Sequence, residues 1–329
     1  MTWTIFAGSD NEWDDLLKNL KSTSPFNLSS WARTRRHSRW NVLRVTCVDN
    51  GEVSCAAQVF WFKFARLFTI SWVPGGIVGD LTCSTPTILK AISSHTKTPA
   101  QYLRVAFHSE VLSSSSSELS LLGWTKARNF IGASETFTIC RTTRGLADSA
   151  TLSSNWSRNL QRGLKRNLST EIWHQPDAGE IHRLMCEMVE FKKDHGPQSV
   201  TPLSALTELL SAMKDQMVVI HTRDEDGKLI AVRGAYVVGA NAWDAVAAAN
   251  EQARKLYASY VCAWKLVETL DSLGVECFDL AGIDPTQNEG VYNFKKGLGG
   301  SRIEYLGEWE MAKPKMVRGL VGLAVSRLK

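Results

Sequence analysis

The order of turns and periodic segments constrains this chain more than any single residue. Two hairpins stand out: strand-like runs 41–48 and 53–64 close on Asp49-Asn50-Gly51, and runs 217–222 and 229–238 close on Asp224-Glu225-Asp226-Gly227. Glycine or asparagine at such turns supplies the positive φ that a tight antiparallel connection needs. Helical patterns precede each hairpin, and a helix and a buried strand follow it. In the first half, Ser9-Asp10 caps a helix with Trp13, Leu16, Leu17 and Leu20 inward, and Ser29-Ser30 opens a second carrying Trp31, Arg33, Arg35 and Arg36. After the hairpin, Trp72-Val73-Pro74-Gly75-Gly76 breaks regular structure; a helix over 86–95, a strand over 102–107, a serine run at 113–117 that suits a solvated loop or a helix edge, and a strand over 137–141 follow. In the second half, helices over 151–167, 177–195 and 202–214 lead into the hairpin. A helix over 254–272 then presents Leu256, Tyr260, Ala263, Trp264, Val267 and Leu270 on one face; Gly274 ends it and a strand over 275–280 follows. The shared order reads as a diverged duplication in a mixed-sheet α/β protein, with domains 1–147 and 148–329.

The chain has 329 residues, enough for two domains of ordinary size. Its 44% hydrophobic and 22% charged residues suit a globular protein. No apolar run approaches the roughly 18 residues that cross a bilayer, and residues 1–11 lack a basic segment followed by an apolar core, so a cytoplasmic protein is expected. The seven cysteines are scattered and mostly lie in apolar stretches, as buried free thiols would. Without a C-x-x-C pair or two histidines at i, i+4, no metal site is expected. A net charge of +5 is mild, and suits an anionic substrate such as a nucleotide, pyrophosphate or tRNA without requiring one.

Chemistry concentrates near the C-terminus. Cys277-Phe278-Asp279-Leu280-Ala281-Gly282-Ile283-Asp284-Pro285 reads as a buried strand running into a loop, and Gly290-Val291-Tyr292-Asn293-Phe294-Lys295-Lys296-Gly297-Leu298-Gly299-Gly300 as a short basic helix with a glycine-rich exit. Loops at strand ends are where ligands meet a rigid α/β scaffold. Lys295 and Lys296 there can present a cation to a phosphate or a developing oxyanion, or can simply be solvated beside glycines that turn the chain.

This stretch resembles the C-terminal signature of the Fem family, the non-ribosomal peptidyltransferases that build peptidoglycan bridges from aminoacyl-tRNA: Asp-x-x-Gly, a loop, then Gly-x-Tyr-x-Phe-Lys-x-Gly-x-Gly-Gly. Further segments resemble the family in order: Ser30-Trp31 with Trp40-Asn41-Val42-Leu43-Arg44, Val73-Pro74-Gly75-Gly76-Ile77-Val78-Gly79-Asp80, Leu122-Gly123-Trp124, Arg158-Asn159-Leu160 through Lys165, and Ser259-Tyr260 to Trp264. The resemblance implies two tandem acetyltransferase-like (GNAT) domains, with the active-site cleft in the second and substrate contacts from the first. It implies that Lys295, beside Phe294 and Lys296, stabilises charge during acyl transfer. Arg35 then falls where the family places a lysine on the diphosphate of a nucleotide-linked precursor, with Arg36 its rival.

Asp80 can orient or deprotonate the attacking amine, or cap a turn. Arg158, with Arg162, Lys165 and Arg166, can touch tRNA or phosphate, or form a solvated face. Tyr257 and Tyr260 can line the cleft or belong to the core. His195 is an incidental lone histidine. The departures are a Pro74-Gly75-Gly76 loop lacking the family's second proline, no heptads for a coiled-coil arm, and no glycine-rich pyrophosphate loop before Arg254. The last of these argues against standard CoA binding, because backbone N–H groups approach phosphate closely only where side chains are absent.

Three functions remain open: transfer of an amino acid from aminoacyl-tRNA to an amine on a nucleotide- or lipid-linked glycan precursor, acyl-CoA-dependent N-acylation of an amino sugar, and non-catalytic binding on the same fold. In none is a resident cofactor expected; tRNA or CoA would arrive as the donor substrate. Residues 313–329 alternate basic and apolar side chains, which suits either packing against the body or peripheral contact with the inner membrane.

Overall fold

A computed structural model of the protein describes residues 1–35, 38–64, 67–111, 115–191 and 200–326, with the backbone alone over 323–326. Arg36, His195 and the apolar residues of the tail beyond position 322 therefore lie outside the described side chains. The chain begins with β1 (Thr2–Ile5), α1 (Asp10–Asn19), α2 (Ser29–Arg33), β2 (Asn41–Asp49), β3 (Glu52–Phe64), β4 (Phe68–Val73), β5 (Val78–Gly79), α3 (Thr87–Thr96), β6 (Ala100–Glu110), α4 (Ser115–Leu121) and β7 (Thr125–Lys126). It continues with β8 (Glu135–Cys140), α5 (Ser154–Leu164), β9 (Ser169–Ile172), α6 (Ala178–Phe191), α7 (Leu203–Ala212), β10 (Met217–Arg223), β11 (Leu229–Val238) and β12 (Asn241–Ala249). The last elements are α8 (Glu251–Lys255), α9 (Ala258–Ser272), β13 (Cys277–Gly282), α10 (Glu289–Gly297), β14 (Ser301–Lys313) and α11 (Met316–Ser326).

Contacts divide these elements into two compact units, Met1–Glu135 with Ile303–Lys329, and Thr136–Arg302. They differ from the halves 1–147 and 148–329 at both seams, because the chain ends in the unit where it began. The reason is β14, a strand the sequence reading passed over. It lies antiparallel to β6, with Trp309 opposite Val105 and Glu310 opposite Arg104. Arg104 is 3% exposed; its guanidinium donates to Glu308 at 2.9 Å and to Glu310 at 3.2 Å. The other Glu308 oxygen accepts from the Ile131 and Gly132 N–H groups, and Tyr102 donates to Glu310 at 2.8 Å. Buried charges of this kind are tolerated only when paired and hydrogen-bonded throughout.

Within the first unit the strands run β1-β2-β3-β4-β6-β14, antiparallel except for the parallel pair β4 and β6. Within the second they run β9-β10-β11-β12-β13-β8, antiparallel except for the parallel pair β12 and β13. The same pattern appears in both: antiparallel strands, a parallel pair joined through a helical crossover, then one closing antiparallel strand. That crossover is α3 in the first unit and α8–α9 in the second. The hairpins sit where the turn residues place them. Asn50 (φ 50°) and Gly51 (φ 89°) occupy the left-handed region between β2 and β3, and Gly227 (φ 77°) does so between β10 and β11.

Local signals were reliable where they were strong. Ser9 caps α1 reciprocally with Glu12, and Trp13 and Leu17 are fully buried. The described serines 115–117 open α4, the helix-edge alternative, whereas the expected helix over 254–272 is broken, with Tyr257 in the left-handed conformation (φ 59°) between α8 and α9. The second unit has one core beneath α5 and α9, where Trp156, Leu160, Leu266, Leu270 and Phe278 meet, and another beneath α6 and α7, around Ile181, Leu184 and Leu206.

Candidate active site

β12 and β13 pair only over Asn241–Trp243 against Cys277–Asp279, after which β12 stays with β11 and β13 is left beside it. A register shift between Asp279 and Gly282 marks the end of β13, where Ala281 takes a positive φ of 58°. Asp279 holds this bend: its Oδ1 accepts from the Ala281 N–H at 2.8 Å and from the Thr136 hydroxyl at 2.6 Å. The bend turns the Ala281 and Gly282 carbonyls toward α10, and the ammonium of Lys295 donates to both, at 3.3 and 2.9 Å. Lys295 is 7% exposed, and burial lowers its pKa below the ordinary lysine value. An ammonium has three N–H bonds, and two of them anchor the side chain to β13.

Two charged residues that the sequence reading missed complete the group. Arg233 of β11 and Asp244 of β12 form an ion pair at 2.7 Å with side chains 10% and 8% exposed. The Arg233 guanidinium lies over the Phe294 ring, 5.4 Å from its centroid. Asp244 and Asp279 both favour the charged form of Lys295, whereas Arg233 disfavours it. Burial pushes the Asp244 carboxyl up, against the pull of Arg233 and Lys295. Two cations and two carboxylates thus form a set whose formal charges cancel, with Asp279 half-buried at its edge. A signal for it existed: a lone arginine and a lone aspartate inside the apolar runs 229–238 and 241–249 must find partners if those runs are buried.

Phe294 belongs to an aromatic cluster with Trp156 of α5 and Tyr260 of α9, with ring centroids 5.7 and 5.2 Å away. The glycines after it let α10 seat closely. A Cβ on Gly297 would lie 2.9 Å from the Trp156 ring, and one on Gly299 (φ 99°) would lie 2.5 Å from the Thr151 hydroxyl and 2.7 Å from its carbonyl. Gly299→Ala is therefore expected to destabilise the protein by about 1–3 kcal/mol through backbone strain and overlap. Gly290→Ala, at a position open on all sides, should be neutral. Urea unfolding of the two variants checks this contrast.

The other expected site residues fall as follows. Lys296 is exposed on α10. Arg158 is exposed on α5 and donates to Asn155 at 2.8 Å. Tyr257 heads α9, and its hydroxyl accepts from Arg162 at 3.3 Å. Arg35 and Asp80 belong to the first unit. The Arg35 guanidinium stacks 4.5 Å from the Trp31 ring centroid, and Asp80 caps the short turn after β5 by accepting from the Thr82 N–H at 2.8 Å. The first unit also has a shallow depression of about 460 Å³ lined by Arg39, Asn41, Trp61, Phe62, Lys63 and Phe64. No helix among the described residues is long and apolar enough to cross a membrane, and no acidic, histidine or cysteine cluster among them could hold a metal.

Comparison with known proteins points to one family and one fold. The FemAB family model matches residues 190–324, the segment that holds β11, β12, β13 and α10. The crystal structure of FemX superposes with a TM-score of 0.82 over 98% of this chain and 100% of its own, at 15% identity. A tandem GNAT protein from the clavulanic acid biosynthesis pathway gives a TM-score of 0.57 at 12% identity over 94% of this chain and 98% of its own. The C-terminal domain of a putative lysylphosphatidylglycerol synthetase from Agrobacterium fabrum gives 0.56 at 14% identity, over 97% and 98%. No curated protein matches by sequence. The likeness to the Fem family and the mixed α/β fold of tandem GNAT type, both expected from the sequence, are borne out.

Proposed function

We propose that this protein is an acyltransferase of the FemAB kind, which moves an aminoacyl group from the ester of an aminoacyl-tRNA to an amine on a cell-envelope precursor. The observation that carries this reading is the buried Lys295 ammonium, fixed to the Ala281 and Gly282 carbonyls with one N–H to spare. In aminolysis of an ester, the neutral amine attacks the carbonyl carbon and negative charge collects on the carbonyl oxygen. That charge then passes to the departing ribose oxygen as the C–O bond breaks. Neither step needs a covalent enzyme intermediate; orientation and a preorganised cation supply the acceleration. Lys295 suits this role because its position is set before substrate arrives. The exposed Arg158, Arg162 and Lys296 supply cationic surface around the same unit for phosphates of the donor.

Arg35 and the cationic, aromatic depression around Arg39 support an acceptor that carries a diphosphate. Asp80 enters this reading only as a cap. Seating of α11 through Val317 and Val321 on Tyr102 leaves Met316 and Leu320 exposed, and these two side chains are what support a peripheral membrane contact.

The test compares donors. Charged tRNA with an amine-bearing envelope precursor is expected to give transfer, whereas CoA at saturating concentration should leave the melting temperature unchanged. A CoA enzyme at about 100 times its Kd would gain about 2.7 kcal/mol, so a clear rise with CoA and no transfer from tRNA would overturn the tRNA assignment. Absence of both responses would point to a binding protein.

A further inference from the structure

Cys140 on β8 and Cys277 on β13 face each other directly across an antiparallel pair within the second unit. The adjacent residues Arg141 and Glu276 are joined by a backbone hydrogen bond of 2.7 Å, so the cysteines occupy the non-hydrogen-bonded position. There the Cα atoms of an antiparallel pair stand about 4.5 Å apart, inside the range of about 4.4–6.8 Å that a disulfide spans. Their Sγ atoms are 2.8 Å apart. Cys140 is exposed and Cys277 half-buried, whereas Cys47, Cys55, Cys83 and Cys262 are buried. A small oxidant therefore reaches this pair without opening the fold. Cys186 is also exposed, but its neighbour is His182 rather than a second thiol.

We propose that Cys140 and Cys277 form a reversible dithiol–disulfide couple whose oxidant is a low-molecular-weight disulfide. The Cys140 thiolate attacks one sulfur of the small disulfide, forming a mixed disulfide and expelling one small thiolate, which takes up a proton. Cys277 then attacks the Cys140 sulfur, the protein disulfide forms, and the second small thiol leaves with the remaining proton. The protein loses two electrons and two protons, and the small disulfide gains them. Cys140 starts the exchange because it is the exposed partner; burial and the neighbouring Cys140 thiol push Cys277 up to about 12, and proximity drives the second step. The tie would form at the start of β13, the strand whose far end holds Lys295.

Full-length protein titrated with oxidised glutathione provides the test. Under non-reducing digestion, a Cys140–Cys277 linked peptide is expected to account for most of the thiols lost. Intact mass should fall by two hydrogen atoms and recover with dithiothreitol. Cys140→Ser should abolish the linked peptide, whereas Cys186→Ser should leave it. Circular dichroism confirms that each variant is folded. Stable glutathione adducts at Cys140 without the internal link, or links that favour other cysteines, would overturn the proposal.

Discussion

Replacing Lys295 by alanine is expected to lower kcat for transfer by about 10²–10³-fold, the usual consequence of removing one preorganised donor to a developing oxyanion, with a much smaller change in KM. The asymmetry follows from timing: the carbonyl oxygen carries little charge until the amine attacks. Lys296→Ala, exposed one position along the same helix and assigned to donor phosphate, should raise KM and leave kcat near its original value, the opposite split. A second readout is pH. Burial lowers the Lys295 pKa, so the active ammonium is lost as pH rises through a value below the ordinary lysine range. The alkaline limb of kcat should therefore lie below that range, and Lys295→Arg, if active, should shift it upward. The sign for stability follows from the same shift. Between the lowered folded pKa and the unfolded value the unfolded chain binds more protons, so Lys295 makes stability rise with pH across that window. An unchanged kcat in Lys295→Ala would remove the mechanism proposed for this site.

The parts of the fold legible in the sequence were those encoded locally. Asn50-Gly51 and Gly227 demanded turns and the structure has them; Ser9 with Glu12 demanded a helix start and forms one. Seven strands, β1, β4, β5, β7, β9, β12 and β14, were not legible, and three of them show why. The β4 run Phe68–Val73 is short and ends in the Pro74-Gly75-Gly76 break. β12 reads Asn-Ala-Trp-Asp-Ala-Val-Ala-Ala-Ala, with few β-branched residues, and becomes a strand because β11 pairs along its length. β14 carries Glu308 and Glu310 at positions that look solvated, yet both are buried against Arg104, some two hundred residues away in sequence. Such partners are tertiary facts, and no local propensity reports them. The candidate site divides in the same way. Phe294 and Lys295 stood out by resemblance, while Arg233 and Asp244 signalled only as lone charges in apolar runs, and strand pairing made them each other's partner.

Asp244→Ala is expected to be among the most destabilising single changes in the second unit, costing about 3–5 kcal/mol, because it strands the buried Arg233 guanidinium without its carboxylate. Urea unfolding measures the loss. Arg233→Met on its own leaves Asp244 unpaired and should also be costly, while the double variant should recover much of the loss, so the cycle should return a large coupling energy. Stability alone would leave the pair a structural device; the pH profile tests whether it has a role in the chemistry. Asp244 favours the charged form of Lys295 and Arg233 disfavours it. Removing Asp244 should therefore move the alkaline limb of kcat further down, and removing Arg233 should move it up. Mild substitutions, Asp244→Asn and Arg233→Gln, keep the shapes close enough for folded protein to be assayed. Opposite displacements would show that the pair sets the ammonium's charge through space. Displacements in one direction, or none, would mean that β11 and β12 act on Lys295 only by packing beneath Phe294.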